Sequence, residues 1–196
     1  MDLQRLLILF WLKTLFAYFF KFDLDFDNSF QILLAILNPI SSSLLLIGLA
    51  LYAKNTKLYY ILSMVIYIAL TALLFANSTY FGEFTDFITI NTMLATGKVS
   101  AGLGESALNL FNLGDLVFIA DFVLIGILMW RKVIRFDQRA FNKRASFAIT
   151  SLSILAFTVN LFMAEIDRPE LLSRGFSNTY VVRYLGLVPF TVYDGF

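Results

Sequence analysis

Residues 3–20 read LQRLLILFWLKTLFAYFF. Whether this stretch is cut off or kept decides the fold. A secretory signal ends its apolar centre in a small-residue cleavage site. Here the run ends in bulky aromatics and then acids, so it is read as a retained helix. At 1.5 Å per residue it covers about 27 Å, close to the hydrocarbon thickness of a bilayer. Lys13 falls near its middle. A lysine at that depth costs a few kcal/mol to insert, so it needs a partner, a polar cavity or an interface.

The rest of the chain has the same character. Of 196 residues, 59% are hydrophobic and 22 are Phe, and the mean hydropathy is +0.78. Charged residues make up 15%, against roughly 25% in soluble domains. The class is therefore all-α integral membrane protein. There is no Cys and no His. Disulfides, thiolate ligands, His-ligated zinc and Ser-His-Asp catalysis are excluded within these residues. No catalytic, cofactor-binding or metal-ligating set stands out, and nucleic acid is not an expected partner.

Four more runs follow the first, giving spans at about 3–20, 30–53, 58–77, 115–130 and 145–164. An acidic loop, DLDFDNS, fills 23–29. The second run is interrupted by Asn38-Pro39. Proline removes a backbone donor, so a kink is expected there, with Ser41, Ser42 and Ser43 available to the freed carbonyls. The stretch 78–114 carries five Gly and mixed polarity and is read as a loop outside the bilayer. Phe81, Phe84, Phe87, Ile88, Ile90, Met93 and Leu94 mix there with Glu83 and Asp86. That pattern predicts a short amphipathic helix on the membrane surface, and a second one over 105–111; short interfacial helices are expected after the fifth span as well.

Charge sets the orientation. With the N terminus inside, the inner segments hold Arg5, Lys54, Lys57 and the six Lys/Arg of 131–144. The outer segments hold Lys21, Lys98, Arg168, Arg174 and Arg183 and most of the acids. This is the positive-inside pattern, and it puts the C terminus outside. Lys13 and Asp121 then lie at similar depth. They are expected to face each other between the first and fourth helices, as an ion pair fixing register or as the floor of a polar cavity.

The densest block of charge is 165–195. Glu165, Asp167, Arg168, Glu170, Arg174, Arg183 and Tyr184 stand where the last span meets water. They are read either as a solvated helix end and linker, or as a site that holds a lipid headgroup or couples the membrane part to something outside it.

Several strings carry a resemblance. The ending AEIDRPELLSRGF…YVVRYLG…FTVYDG is similar to the junction between membrane and outer domains in lipoteichoic acid synthases. LKT at 12–14, NP at 38–39, LLFAN and YF within 73–81, FTDF at 84–87 and Asp121 extend the match over nearly the whole chain. Only 95–114 carries no matching motif.

The resemblance implies five transmembrane helices followed by an extracellular domain of sulfatase-like fold. In the family that domain uses a threonine nucleophile and manganese. It moves glycerol phosphate from phosphatidylglycerol to a chain on a glycolipid anchor, or, in a primase variant, adds only the first unit. Residues 1–164 are then the transmembrane domain and 165–196 an extracellular juxtamembrane linker. Since the sequence stops at Phe196, just past TVYDG, the catalytic domain is expected to be missing and these residues alone to catalyse nothing. The expected partners are phosphatidylglycerol and glycolipid of the outer leaflet and the chain's own catalytic domain. The expected location is the bacterial plasma membrane. The other reading is a stand-alone membrane scaffold for cell-wall or division proteins.

Overall fold

Every regular element in the described residues is helical. The structure, a computed structural model, describes residues 3–92, 113–131 and 141–195. It runs through α1 (Leu3–Phe20), α2 (Ser29–Gly48), a 3-10 turn (Leu49–Tyr52) and α3 (Thr56–Phe84). A second 3-10 turn (Leu113–Phe118) leads into α4 (Ala120–Trp130), followed by α5 (Lys143–Asp167), α6 (Asn178–Leu185) and α7 (Leu187–Tyr193). Side-chain oxygens set the starts. Asn28 accepts the Gln31 N–H, Asn55 that of Lys57, and Asn142 that of Ala145, at 2.8, 2.8 and 3.1 Å. Each takes up a donor that the first helical turn leaves open.

Helix α2 is the centre of the molecule. It packs on α1, α3, α5, α6 and α7. The Trp11 indole N–H ties α1 to it by donating to the Ile36 carbonyl at 2.9 Å. At its far end the Ser146 hydroxyl of α5 donates to the Leu51 carbonyl at 3.0 Å. At its near end Arg183 of α6 pairs with Asp27 at 3.0 Å. There Tyr184 of α6 also bridges Gln31 of α2 to Asp167 at the end of α5, so α2 and α5 run antiparallel.

The distribution of polarity is inverted relative to a water-soluble protein. Gln31, Asn38, Ser43, Thr71, Asn77, Ser78, Ser146 and Ser153 are buried, whereas Leu12, Val65, Phe147, Leu155 and Phe162 are exposed. In hydrocarbon, apolar side chains gain nothing by turning inward, and polar groups hold helices together. Four helical stretches are long and apolar enough to cross a membrane among the described residues: Leu3–Phe20, Ser29–Tyr52, Thr56–Phe84 and Lys143–Asp167.

Several boundaries differ from those expected. The third helix does not stop at 77 but continues to Phe84, where Thr85 takes a left-handed conformation at φ 52°. Polar residues 77–79 did not signal emergence into water, because their side chains bond inside the protein. Asn77 donates to the Leu73 carbonyl at 3.0 Å, Thr79 to Phe75 at 3.1 Å, and Ser78 to Asp115 at 3.0 Å. Phe81 and Phe84 thus belong to α3 rather than to a surface helix. Phe87 is buried against Phe22, Phe81 and Phe190, with ring centroids 4.9, 5.1 and 5.9 Å away. A new helical stretch opens only at residue 90. Met93, Leu94 and the helix expected at 105–111 lie outside the described residues.

Helix α2 is continuous through Pro39. The serine hydroxyls serve Asn38 and Pro39 rather than the Ala35 carbonyl, which the missing proline N–H leaves open. Ser41 and Ser42 both donate to the Asn38 carbonyl, at 3.0 and 2.9 Å, and Ser43 donates to that of Pro39. The fourth expected span is a 3-10 turn and an 11-residue helix within the described residues.

Short helices are present after the fifth long run, as expected. Residues 178–193 form two short helices packed on α2, with Val182, Tyr184, Leu187 and Phe190 fully buried. They pack into the helical body.

Candidate functional site

Two polar systems link distant parts of the chain. The first lies between α1, α3 and the start of α4. Lys13 Nζ donates to Thr71 Oγ1 at 2.7 Å, to the Phe118 carbonyl at 3.3 Å and to Asp121 Oδ2 at 3.0 Å. The Tyr67 hydroxyl donates to the same carboxylate oxygen. The ammonium also stands 4.4 Å from the Tyr67 ring centre and 5.3 Å from that of Phe122. Two helical turns further along, Lys21 and Ser78 both donate to Asp115 Oδ1, at 2.9 and 3.0 Å. Two rungs of charge thus fasten residues 115–121 to α1 and α3. Lys13, Asp121 and Asp115 each keep an opposite charge and at least one further hydrogen bond, as burial demands.

The second system joins the start of α2, the end of α5 and α6. The Tyr184 hydroxyl accepts from Gln31 Nε2 at 2.7 Å and donates to Asp167 Oδ2 at 2.5 Å. Burial, helped by that carboxylate, holds the phenol well above its ordinary range, so it stays neutral and keeps donating. Gln31 Oε1 accepts from the Asp27 N–H at 2.8 Å, and Asp27 in turn pairs with Arg183. The Arg168 and Arg183 guanidiniums stand 5.2 and 5.3 Å from the centre of the Tyr180 ring. Below this cluster the chain is keyed into the bundle. Asn38 Nδ2 donates to the Tyr184 carbonyl at 2.8 Å, and the Leu187 N–H donates to the Tyr18 hydroxyl at 2.7 Å. Between them sits Gly186 at φ 86°, where an added Cβ would lie 2.9 Å from Asn38 Cβ and 3.0 Å from the Tyr18 hydroxyl. Only glycine accepts both the dihedral and the space.

The family model described as the lipoteichoic acid synthase N-terminal domain matches residues 4–196. The chain belongs to that family. Among curated relatives, lipoteichoic acid synthase 2 of Bacillus subtilis (strain 168) is 38% identical over 187 residues, 95% of this chain and 28% of the relative. Lipoteichoic acid synthase 1 of the same strain is 37% identical over 189 residues, 96% of this chain and 29% of the relative. Lipoteichoic acid synthase of Staphylococcus aureus (strain USA300) is 36% identical over 184 residues, 94% of this chain and 28% of the relative. The chain thus spans under a third of the length of the relatives it matches. No solved structure matches it.

In this member of the family, the residues singled out from sequence fall into three groups. Lys13 and Asp121 meet, as do Asn38 and the backbone of Tyr184. Asp167, Arg168, Arg183 and Tyr184 gather around Tyr180 and Gln31. Glu165, Glu170 and Arg174 serve the turn after α5: Glu165 accepts the Glu170 N–H at 2.6 Å, and Glu170 pairs with Arg174 on the surface. Glu170 itself is left-handed at φ 63°. Sequence reading missed Tyr18, Gln31, Tyr67, Thr71, Asp115 and Gly186. Gln31 and Thr71 carried a usable signal, as uncharged polar residues within apolar runs. Tyr18 and Tyr67 carried none, since tyrosine is common at membrane interfaces.

Proposed function

We propose that these residues are the membrane part of a glycerophosphotransferase that builds polyglycerolphosphate from phosphatidylglycerol on a glycolipid anchor. Their work is to hold an extracellular catalytic domain at a fixed height and orientation over the outer leaflet, where the lipid phosphate lies. Manganese belongs to that outer domain. The observation that carries this reading is the anchoring of the last segment. Tyr18, Asn38 and Gly186 lock the α6–α7 junction to α1 and α2, so whatever follows α7 leaves from a fixed point.

Five spans, with the N terminus inside and the C terminus outside, fit the connectivity. Phe81 of α3 packs on Phe22 just past α1, at 5.4 Å between rings, so α3 ends beside the end of α1. Helix α5 begins beside the other end, at Leu51. A return crossing between them, begun by α4, would account for both positions. The positive-inside rule supports 131–144 on the cytoplasmic side.

The test uses the full-length protein in its native membrane. Asn38→Leu removes the bond to Tyr184, and polymer output is measured beside membrane level. Lower output at unchanged level supports the reading. Unchanged output overturns the positioning role. A reading frame that stops at residue 196 and yields no polymer favours the scaffold alternative.

A further inference from the structure

A trough runs between α2, α5 and the shelf made by α6 and α7. A cavity of about 300 Å³ is lined by Ser42, Leu45, Phe157, Leu161, Leu185 and Val192, among others. A second cavity, of about 350 Å³, shares Leu161, Leu172 and Leu185 with the first and reaches Thr158 and Glu165. The two form one apolar channel along α5, open on one side. Tyr193 arches across the loop above it by donating to the Leu172 carbonyl at 2.7 Å.

Two features identify what fits. The walls come from two helices long and apolar enough to span the membrane, so the solvent at this depth is hydrocarbon. The upper end is charged, and its acids are engaged elsewhere. Glu165 is turned onto the Glu170 N–H, Asp167 accepts from Tyr184, and Glu170 pairs with Arg174. Arg183 is occupied by Asp27. Arg168 stacks on Tyr180 and has no carboxylate partner among the described residues. It is the cap residue of α5, three positions past Glu165, which lines the end of the channel.

We infer that this trough binds one glycerophospholipid, with an acyl chain laid along α5 past Leu161 and Leu185 and its phosphate against Arg168. Guanidinium and phosphate match in charge and in fork geometry. The site rests on the reading above in one respect, that residues 165–175 lie at the outer surface.

The test is photolabelling of the full-length protein in nanodiscs, using a phospholipid with a diazirine on its acyl chain and mapping the labelled peptides. Labelling concentrated on 157–161 and 185–193, above that on the outward-facing Leu155, is expected. Leu161→Trp, or Val192→Trp from the opposite wall, should reduce it to the level at Leu155, while Leu155→Trp leaves it intact. Arg168→Ala should lower retention of phosphatidylglycerol in native mass spectrometry, and Arg168→Lys should restore part of it. Soluble glycerol phosphate in excess should not displace the label. Uniform labelling around α5, unmoved by either trough variant, means only lipid solvent at the surface and overturns the site. Displacement by glycerol phosphate overturns the lipid as ligand. Polymer synthesis alongside uniform labelling would defeat the trough and leave the proposed function standing, and trough labelling without polymer would do the reverse.

Discussion

At the scale of single residues, the Lys13–Asp121 contact has the most at stake. Both side chains are over 90% buried, and two hydroxyls add to the pair: Thr71 accepts from the Lys13 ammonium and Tyr67 donates to the Asp121 carboxylate. Removing one ion leaves the other without its counter-charge in a medium that cannot solvate it. Breaking a buried pair from one side costs about 3–5 kcal/mol, whereas replacing both ions by apolar groups is often close to neutral. Lys13→Leu and Asp121→Leu are each expected to lower the unfolding temperature in nanodiscs by more than the double variant does. The double-mutant cycle measures this coupling directly. Single variants that unfold like the wild type would show that the contact contributes nothing to stability.

At the scale of elements, the join between α6 and α7 is the most demanding piece of local structure. Gly186 ends one helix and starts the next at a dihedral closed to other residues, with Tyr18 and Asn38 against it. Gly186→Ala therefore meets two penalties: backbone strain of about 1–3 kcal/mol and a steric clash. Gly175 is a natural control, since it is also left-handed, at φ 66°, but has nothing within 4 Å of an added Cβ. Hydrogen exchange at the Leu187 amide is expected to speed up in Gly186→Ala and stay unchanged in Gly175→Ala. Equal protection in both variants would mean that α7 does not depend on this close approach.

These two sites also mark how far the sequence could be read. Lys13 and Asp121 were legible because charge inside an apolar run is rare, and helix rise alone gave their common depth. The long helices were legible from length and hydropathy. The seat of α6 and α7 was not. Arg183 and Tyr184 read as part of a solvated end or of a headgroup or coupling site, and nothing local revealed that Asp27 and Gln31, over 150 positions earlier, would take them up. Phe87 was misread for a related reason: alternation of apolar and acidic residues fits a surface helix as well as a loop with one ring driven into a core.

At the scale of the whole molecule, the open quantity is the number of crossings, and the absence of cysteine makes it measurable. Any cysteine introduced is the only thiol in these residues. Four positions suffice: Asp25, Lys54, Asn142 and Ser173, each exposed to solvent at a helix end. The antiparallel fit of α2 and α5 puts 54 and 142 at one end and 25 and 173 at the other. Five crossings reproduce that pairing. If the segment containing α4 did not cross, α5 would have to run the other way. Position 142 would then share a side with 25, and 173 with 54, which is incompatible with Ser146 at Leu51 and Arg183 at Asp27. Labelling of intact cells with a membrane-impermeant maleimide is expected to modify Asp25→Cys and Ser173→Cys. Lys54→Cys and Asn142→Cys should react only after the membrane is opened. Reaction of Asn142→Cys in intact cells would refute both the five-span topology and the α2–α5 packing on which the trough depends.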